Sequence, residues 1–505
     1  MSGPGTELKA RAELAAKCRS CGTCRSVCPV FAEVGTEDSV ARGKVTLIRS
    51  VLDGELELSE IFEDRVLLCL NCKTCVANCP NDVPVDDLIL AARHDLVESG
   101  RLPLVRRLVF RFLLKRGRLL PPFGRLASFA QRWLLRGLPQ GSPLRILLPL
   151  AGVDEHRVFP DFAPRSFMAD APVEAKGDVV ASIDGAFAAD PPEAAARPVD
   201  GEAVPASSSV DSEGAAGHSV VSATADERIR VAREARSVAY FVGCATNLIY
   251  PGSGRATVDA LTRSGVDVII PRDQGCCGAP VFNSGDYETA RDMARHNISV
   301  LRDSGVDAVV TGCASCGLTL KREYEETLGL EGGVGLPVFD LTEFLALRGR
   351  RPADSPLCGA GVPPEVEIGL DTRGVSVPVD ARAPESSARR VRVTYHDPCH
   401  LVRGQKVSDE PRRLLRSLPW VEFVEMRDAD RCCGGGGTFS LSHYDIAKRI
   451  GERKVAAIRD ADVDVVATEC PVCVMQLRDM LEQAGVDVAV VNVADVLALG
   501  RPGKD

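Results

Sequence analysis

Residues 304–316 read SGVDAVVTGCASC, and residues 462–473 read DVDVVATECPVC. In both, a β-branched run ends in a Cys-x2-Cys pair, and the two stretches match almost position by position. The match extends outward. Cys244, the adjacent pair Cys276 and Cys277, Cys313 and Cys316 recur as Cys399, Cys432 and Cys433, Cys470 and Cys473. The offsets are 155, 156, 156, 157 and 157 residues, so a duplication has carried the thiols with it. Each copy alternates short apolar runs with amphipathic stretches. The runs are SVAYFVGC, VDVIIP, DAVVTGC and LPVFD, then VRVTYHDPC, VEFVEM, DVVATEC and VAVVNV. Between them lie segments such as YETARDMARHNISVLRDSG and YDIAKRIGERKVAAIRDA. Alternation of strand and helix signals implies a parallel sheet in each copy.

That sheet predicts where the thiols go. Cys244, Cys276–Cys277 and Cys313 fall at or just beyond predicted strand ends, with helices after them. Open α/β sheets bind ligands outside the carboxyl ends of their strands. Helix N-termini there favour thiolates and anions. The five cysteines of a copy are therefore expected to converge on one crevice. Adjacent strand residues point to opposite faces, so a Cys-Cys pair sharing a site must lie on a bent loop. Residues 430–440, DRCCGGGGTFS, fit this. Gly278 in one copy and Gly434 to Gly437 in the other are expected to supply unusual φ/ψ values and close backbone approach. A vicinal disulfide is a competing reading. A phosphate loop is another, but it lacks the Lys-Ser/Thr of a P-loop, and no G-x-G-x-x-G follows a strand.

Two further cysteine runs stand near the start. Cys18, Cys21, Cys24 and Cys28 read C-x2-C-x2-C-x3-C-P, and Cys69, Cys72, Cys75 and Cys79 repeat the pattern. This is the bacterial two-cluster ferredoxin spacing, in which the fourth cysteine of each run ligates the other run's cluster. The predicted sets are Cys18, Cys21, Cys24 and Cys79 for one [4Fe-4S] cluster, and Cys69, Cys72, Cys75 and Cys28 for the other. Zinc sites compete, but zinc takes two short ligand pairs rather than runs of four closing in Cys-Pro. SVARGKVTLIRSVLDG and DLILAARHDLVESG have helical apolar spacing, which points to an α-helical two-cluster module.

With 505 residues the chain should form several domains, and 45% apolar and 26% charged residues are ordinary for a globular protein. A net charge of −9 argues against a nucleic-acid partner. Nineteen cysteines, no secretory leader and no run long enough for a bilayer suggest a cytoplasmic metal-binding chain rather than a disulfide scaffold. The expected division is 1–100 ferredoxin module, 101–166 basic helical connector, 167–235 disordered linker, 236–349 first α/β copy, 350–390 linker and 391–500 second copy. The linkers are read from Ala, Pro, Ser and acidic enrichment. The second carries Cys358, read as a solvent-exposed bystander. Residues 101–150 hold eleven Arg or Lys and no acid. They are either a membrane-surface or partner-docking segment or a connector packed on the ferredoxin module with snorkelling arginines. His396 and His400 flank Cys399; they either tune a cluster or deliver a proton, or they bond nearby backbone.

The arrangements C-x31-CCG-x34-C-x2-C and C-x32-CCG-x35-C-x2-C, behind a helical two-cluster module, resemble the cysteine-rich CCG family. That family includes heterodisulfide reductase catalytic subunits and the iron–sulfur subunits of glycolate oxidase, D-lactate dehydrogenases and anaerobic glycerol-3-phosphate dehydrogenase. HDPCHLVRG and DRCCGGGGTFSLSHYD look most like the lactate and glycolate branch. The resemblance implies one iron–sulfur cluster in each CCG copy, with zinc an option in one. It implies the iron–sulfur electron-transfer subunit of a (S)-2-hydroxyacid, glycolate or D-lactate dehydrogenase complex. An FAD-containing dehydrogenase subunit would be the donor, and a quinone-reducing or membrane-surface partner at the inner face of the cell membrane the acceptor. The alternative is a heterodisulfide reductase-like subunit cleaving a disulfide at a CCG-bound cluster. The sequence assigns no catalytic residue.

Overall fold

Two sheets of matching strand order carry the duplicated halves in the computed structural model, which describes residues 5–131, 157, 160–177, 224–349, 365–368, 375–378 and 390–498. In the first half, β1 (Glu174–Ala175), β2 (Ser237–Tyr240), β3 (Asp267–Ile269), β4 (Ala308–Thr311) and β5 (Val338–Asp340) lie in the order β1-β3-β2-β4-β5. All neighbours are parallel except the β1–β3 pair. Between the halves, β6 (Glu365–Ile368) and β7 (Val375–Pro378) pair antiparallel. The second half has β8 (Val391–Tyr395), β9 (Val421–Phe423), β10 (Val465–Thr468) and β11 (Ala489–Asn492) in the order β11-β10-β8-β9, all parallel. The register aligns Val238 with Val268 and Ala308, and Val393 with Phe423 and Val465. Central strands β4 and β10 are buried at every position. This is why AVVT and VVAT read as continuous apolar runs rather than as alternating ones.

The two halves share one core. Tyr240, Phe339 and Phe344 of the first pack in the same cluster as Tyr395, Leu415, Val491 and Leu497 of the second. Asn492 Nδ2 donates to the Gly312 carbonyl at 3.0 Å, and Ser253 Oγ donates to Asp495 at 2.9 Å. A buried acid completes the joint. Glu469 accepts from the hydroxyls of Thr342 (2.8 Å) and Tyr395 (3.0 Å), and its carbonyl accepts from Ala314 N at 2.8 Å. Burial holds Glu469 and Asp340 above the usual carboxylate range. Asp340 Oδ2 has no hydrogen-bond partner of its own, and a proton shared between the two buried carboxyls would supply one. Replacing Glu469 by Ala strands these partners and is expected to cost about 3 kcal/mol, whereas Glu469→Gln, which retains a donor, should cost under about 1 kcal/mol. Thermal unfolding midpoints of the two variants check this; equal losses would contradict the shared proton.

Three stretches read as linker carry structure, the β6–β7 pair inside 350–390 being one of them. Phe167–Asp170 is helical, and β1 pairs Glu174 with Ile269 and Ala175 with Val268. The anchor is the Phe167 ring, 1% exposed and edge-on to Tyr240 at 5.9 Å. The helix Ala225–Glu234, capped by the Thr224 hydroxyl, packs on the first half through Arg228, paired to Glu343 at 2.6 Å. The first half thus begins before residue 236 and borrows an edge strand from the stretch assigned to the linker. Residues 178–223 and Cys358 lie outside the described residues.

In the N-terminal domain the expected helices form at Ala41–Leu52 and Val85–Glu98 around a core of Leu8, Val45, Ile48, Phe62 and Leu88. The domain docks on the first half. Buried Arg93 donates to the carbonyls of Cys69 (2.7 Å) and Asn283 (2.8 Å). Helical segments between 104 and 130 follow. They pack chiefly on the first α/β half rather than on the N-terminal domain. Phe110 enters the Phe282–Tyr287 cluster, Arg111 pairs with Asp286 (3.2 Å) and Lys115 with Asp292 (2.7 Å). The attraction is that of a basic segment for acids on the helix Tyr287–Arg302 and its cap. Its outer face stays apolar, with Leu104, Leu108, Phe112, Phe123, Leu126 and Phe129 all exposed.

Candidate metal centres

Cys28, Cys69, Cys72 and Cys75 line one cavity of about 30 Å³ in the N-terminal domain. Cys18, Cys21, Cys24 and Cys79 line another of similar size, with Cys75 between the two. The crossing arises locally. Cys28 caps the helix Pro29–Val34, its Sγ accepting from Phe31 N at 3.4 Å, and Cys79 Sγ accepts from Val83 N at 3.5 Å. Each closing proline turns its chain so that the fourth thiol lies with the other run's three.

Buried cations accompany these thiols. Lys44 is 2% exposed and donates to the Ser39 carbonyl. Burial lowers its pKa; the thiols of Cys69, Cys28 and Cys75 act in the opposite sense. Lys454 stands likewise beside Cys433 and Cys432. An ammonium in such a place calls for an anionic neighbour. All-thiol donor sets facing cavities, with buried cations beside them, fit thiolate-bound iron–sulfur centres. The eighteen described cysteines are free thiols, as such centres require. Without metal, burial pushes the Cys28 thiol up to about 11.

The ten cysteines of the duplicated halves do not form two separate crevices. All ten line a single cavity of about 150 Å³, with Cys69, Asn71, Ser315, His396 and His400. The five thiols of each copy lie beside the five of the other, a juxtaposition that neither copy's own pattern contains. The loops after both sheets' strands open onto the same space, because the halves meet at their shared core. The helices expected beyond the strands are present. Cys244 opens the helix Cys244–Leu248, Cys313 caps Ala314–Leu318, and Cys470 caps Pro471–Gln483. Gly434, after the Cys432–Cys433 pair, has φ 88°, and a Cβ there would lie 2.5 Å from the Ala447 carbonyl oxygen. Gly278 has the same φ, and Gly436 and Gly437 are also positive, whereas Gly435 is not among the positive-φ residues.

Thiol contacts join the parts. Cys72 of the N-terminal domain packs in one cluster with Cys432 of the second half, and Cys313 of the first half lines the cavity with Cys470 of the second. Hydrogen bonds from Cys276 and Cys316 bring the Cys277 thiol down to about 6, and bonds from Cys432 and Cys473 hold Cys433 well below its ordinary value. His400 Nδ1 lies 3.1 Å from Ser315 Oγ, itself 3.8 Å from Cys470 Sγ. Burial lowers the His396 pKa to about 3. Asn71 and Ser315 escaped the sequence reading, although each sits inside a Cys-x2-Cys spacing, the signal that would have found them.

A 4Fe-4S dicluster domain model matches residues 14–83, and a cysteine-rich CCG domain model matches residues 238–321 and 393–478. A fumarate reductase (CoM/CoB) chain of Methanothermobacter marburgensis is 36% identical over 261 residues, 52% of this chain and 45% of that protein. The "Probable glycolate oxidase iron-sulfur subunit" of Bacillus subtilis is 28% identical over 484 residues, 95% of this chain and 92% of the relative. One chain of the dihydromethanophenazine:CoB--CoM heterodisulfide reductase of Methanosarcina barkeri is 28% identical over 268 residues, 52% of this chain and 58% of that protein. The chain thus spans about half the length of the archaeal relatives and nearly all of the Bacillus one. It joins a 4Fe-4S dicluster domain to two CCG domains, and its relatives are iron–sulfur subunits of oxidoreductases.

Proposed function

We propose that the chain is the electron-relaying subunit of a complex whose FAD-containing dehydrogenase oxidises a small 2-hydroxy acid, glycolate or D-lactate. In this reading Cys18, Cys21, Cys24 and Cys79, and Cys69, Cys72, Cys75 and Cys28, hold two [4Fe-4S] clusters. Each CCG half holds one further iron–sulfur centre. Bound there, these groups supply one-electron redox chemistry. The observation that carries the reading is the run of neighbouring thiols: Cys72 packed with Cys432 between domains, and Cys470 beside the same cavity as Cys313 between halves. Arg93 and the shared core hold those contacts in place, and Lys44 and Lys454 offset the negative charge of thiolates beside them. The near end-to-end likeness to the Bacillus relative supports the choice of partner and substrate.

The test is anaerobic purification of the complex. A flavoprotein should copurify, about sixteen irons per chain should be present, and glycolate or D-lactate should bleach the iron–sulfur absorbance. A colourless, iron-free chain would end this reading.

A second reading, disulfide reduction at the CCG centres, is favoured by one feature: thiols of both halves face a common space of about 150 Å³. Turnover of an organic disulfide with a reduced viologen dye, without any hydroxy acid, would select it.

The acceptor side is read as a quinone-reducing partner at the inner face of the cell membrane. Among the described residues no helix is long and apolar enough to cross a membrane. The exposed Leu and Phe side chains of the 104–130 segment, interleaved with Arg116 and Arg125 and no acids, suit an anionic lipid surface. The chain should cosediment with phosphatidylglycerol vesicles. Phe112→Glu with Leu126→Glu should abolish this while leaving thermal stability within about 0.5 kcal/mol; unchanged cosedimentation would rule the surface out.

A further inference from the structure

In the second CCG half, a ring nitrogen of His396 and the Sγ atoms of Cys433 and Cys473 lie within 4.8 Å of one another. The imidazole is 1% exposed, and its Nδ1 has no hydrogen-bond partner. A neutral imidazole carries a lone pair on one ring nitrogen, and that lone pair is what a metal ion takes. Leaving that lone pair dry and unpaired is unfavourable unless something takes it.

The duplication supplies an internal comparison. Phe241 stands three residues before Cys244, as His396 stands three before Cys399. It is 0% exposed, packed under the first sheet's cysteines. An apolar ring therefore meets the packing needs of this position, and packing does not explain the imidazole.

We propose that His396 is a direct ligand, through Nδ1, of the metal centre held by Cys433 and Cys473. The two halves then hold unlike centres, sulfur-only in the first and mixed sulfur–nitrogen in the second. Iron of an iron–sulfur centre and Zn²⁺ both accept this donor set. The inference rests on the reading that the second-half cysteines bind metal.

The full chain, purified without air and labelled with ¹⁵N-histidine, is assayed for iron and zinc beside His396→Phe, which installs the residue the first half already carries. If the centre is iron, pulsed EPR of the wild type should show a directly bonded nitrogen coupling that is lost in His396→Phe. If it is zinc, zinc-edge X-ray absorption should show an imidazole shell that is lost in the same variant. His400→Gln, which removes the neighbouring imidazole, should leave either signature in place, and it decides the matter if His396→Phe does not fold. A wild-type second half loaded with metal but showing no bonded nitrogen overturns the proposal, as does a signature that disappears with His400. A wild type with no metal in either CCG half overturns the underlying reading instead.

Discussion

Gly285→Ala is expected to destabilise the chain by about 3–5 kcal/mol and to loosen the N-terminal domain from the first CCG half. Gly285 has φ 95°, and a Cβ built there would lie 2.2 Å from the carbonyl oxygen of Arg93. The left-handed backbone alone costs an alanine about 1–2 kcal/mol. The remainder comes from the clash, which backbone on both sides must absorb. The shift falls where the domains are joined. His94 Nδ1 lies 3.0 Å from the Gly285 carbonyl, and the His94 ring stacks on Tyr287 at 4.3 Å. Arg93 reaches the Asn283 carbonyl from the next position along the helix. Thermal unfolding and limited trypsin digestion read the outcome. The midpoint should fall by several degrees, and the arginine-rich segment after residue 100 should become cleavable. A wild-type digestion pattern would show that this contact does not hold the domains together.

The second large effect concerns the crossing of the fourth cysteines. Cys28→Ala is expected to remove the same cluster signal as Cys69→Ala, and Cys79→Ala the same signal as Cys18→Ala, each with a loss of about four irons per chain. Cys28 lines the cavity of Cys69, Cys72 and Cys75, and Cys79 that of Cys18, Cys21 and Cys24. The two losses should differ in consequence. Cys72 packs in one cluster with Cys432, so the centre lost in Cys28→Ala is the one adjoining the CCG halves. Reduction of the CCG centres through the N-terminal domain should then slow in Cys28→Ala. EPR spectra of the four variants, with iron counts, settle the pairing. Cys28→Ala and Cys18→Ala losing one common signal would refute it.

The CCG cavity shows how far a duplicated sequence can be read. Strand–helix alternation and the positions of the thiols at strand ends are local properties, set by β-branched runs, amphipathic spacing and helix starts within about thirty residues. The eight main strands of the two halves accordingly form where the apolar runs lie. The run spacing of the N-terminal cysteines is as local, since prolines and short intervals dictate where each thiol can reach. The small edge strand at Glu174–Ala175 left no pattern, because two residues carry no periodicity and their hydrogen bonds come from β3.

Whether the copies would keep separate sites was not a local question. Cys313 and Cys470 meet because Tyr240 and Tyr395 share a core and Glu469 ties one half to the other. Those contacts span more than a hundred residues, and each copy's own pattern is silent about them. The same holds for His396 and Phe241. Their difference is visible in the letters, but its meaning depends on burial and on an unpaired ring nitrogen beside two thiols. The amino-acid order by itself determined the number of halves, their sheets and the grouping of the thiols along the chain. Tertiary packing alone decided that the groups open on one space, since side chains far apart in sequence meet only where burial of apolar surface brings their strands together.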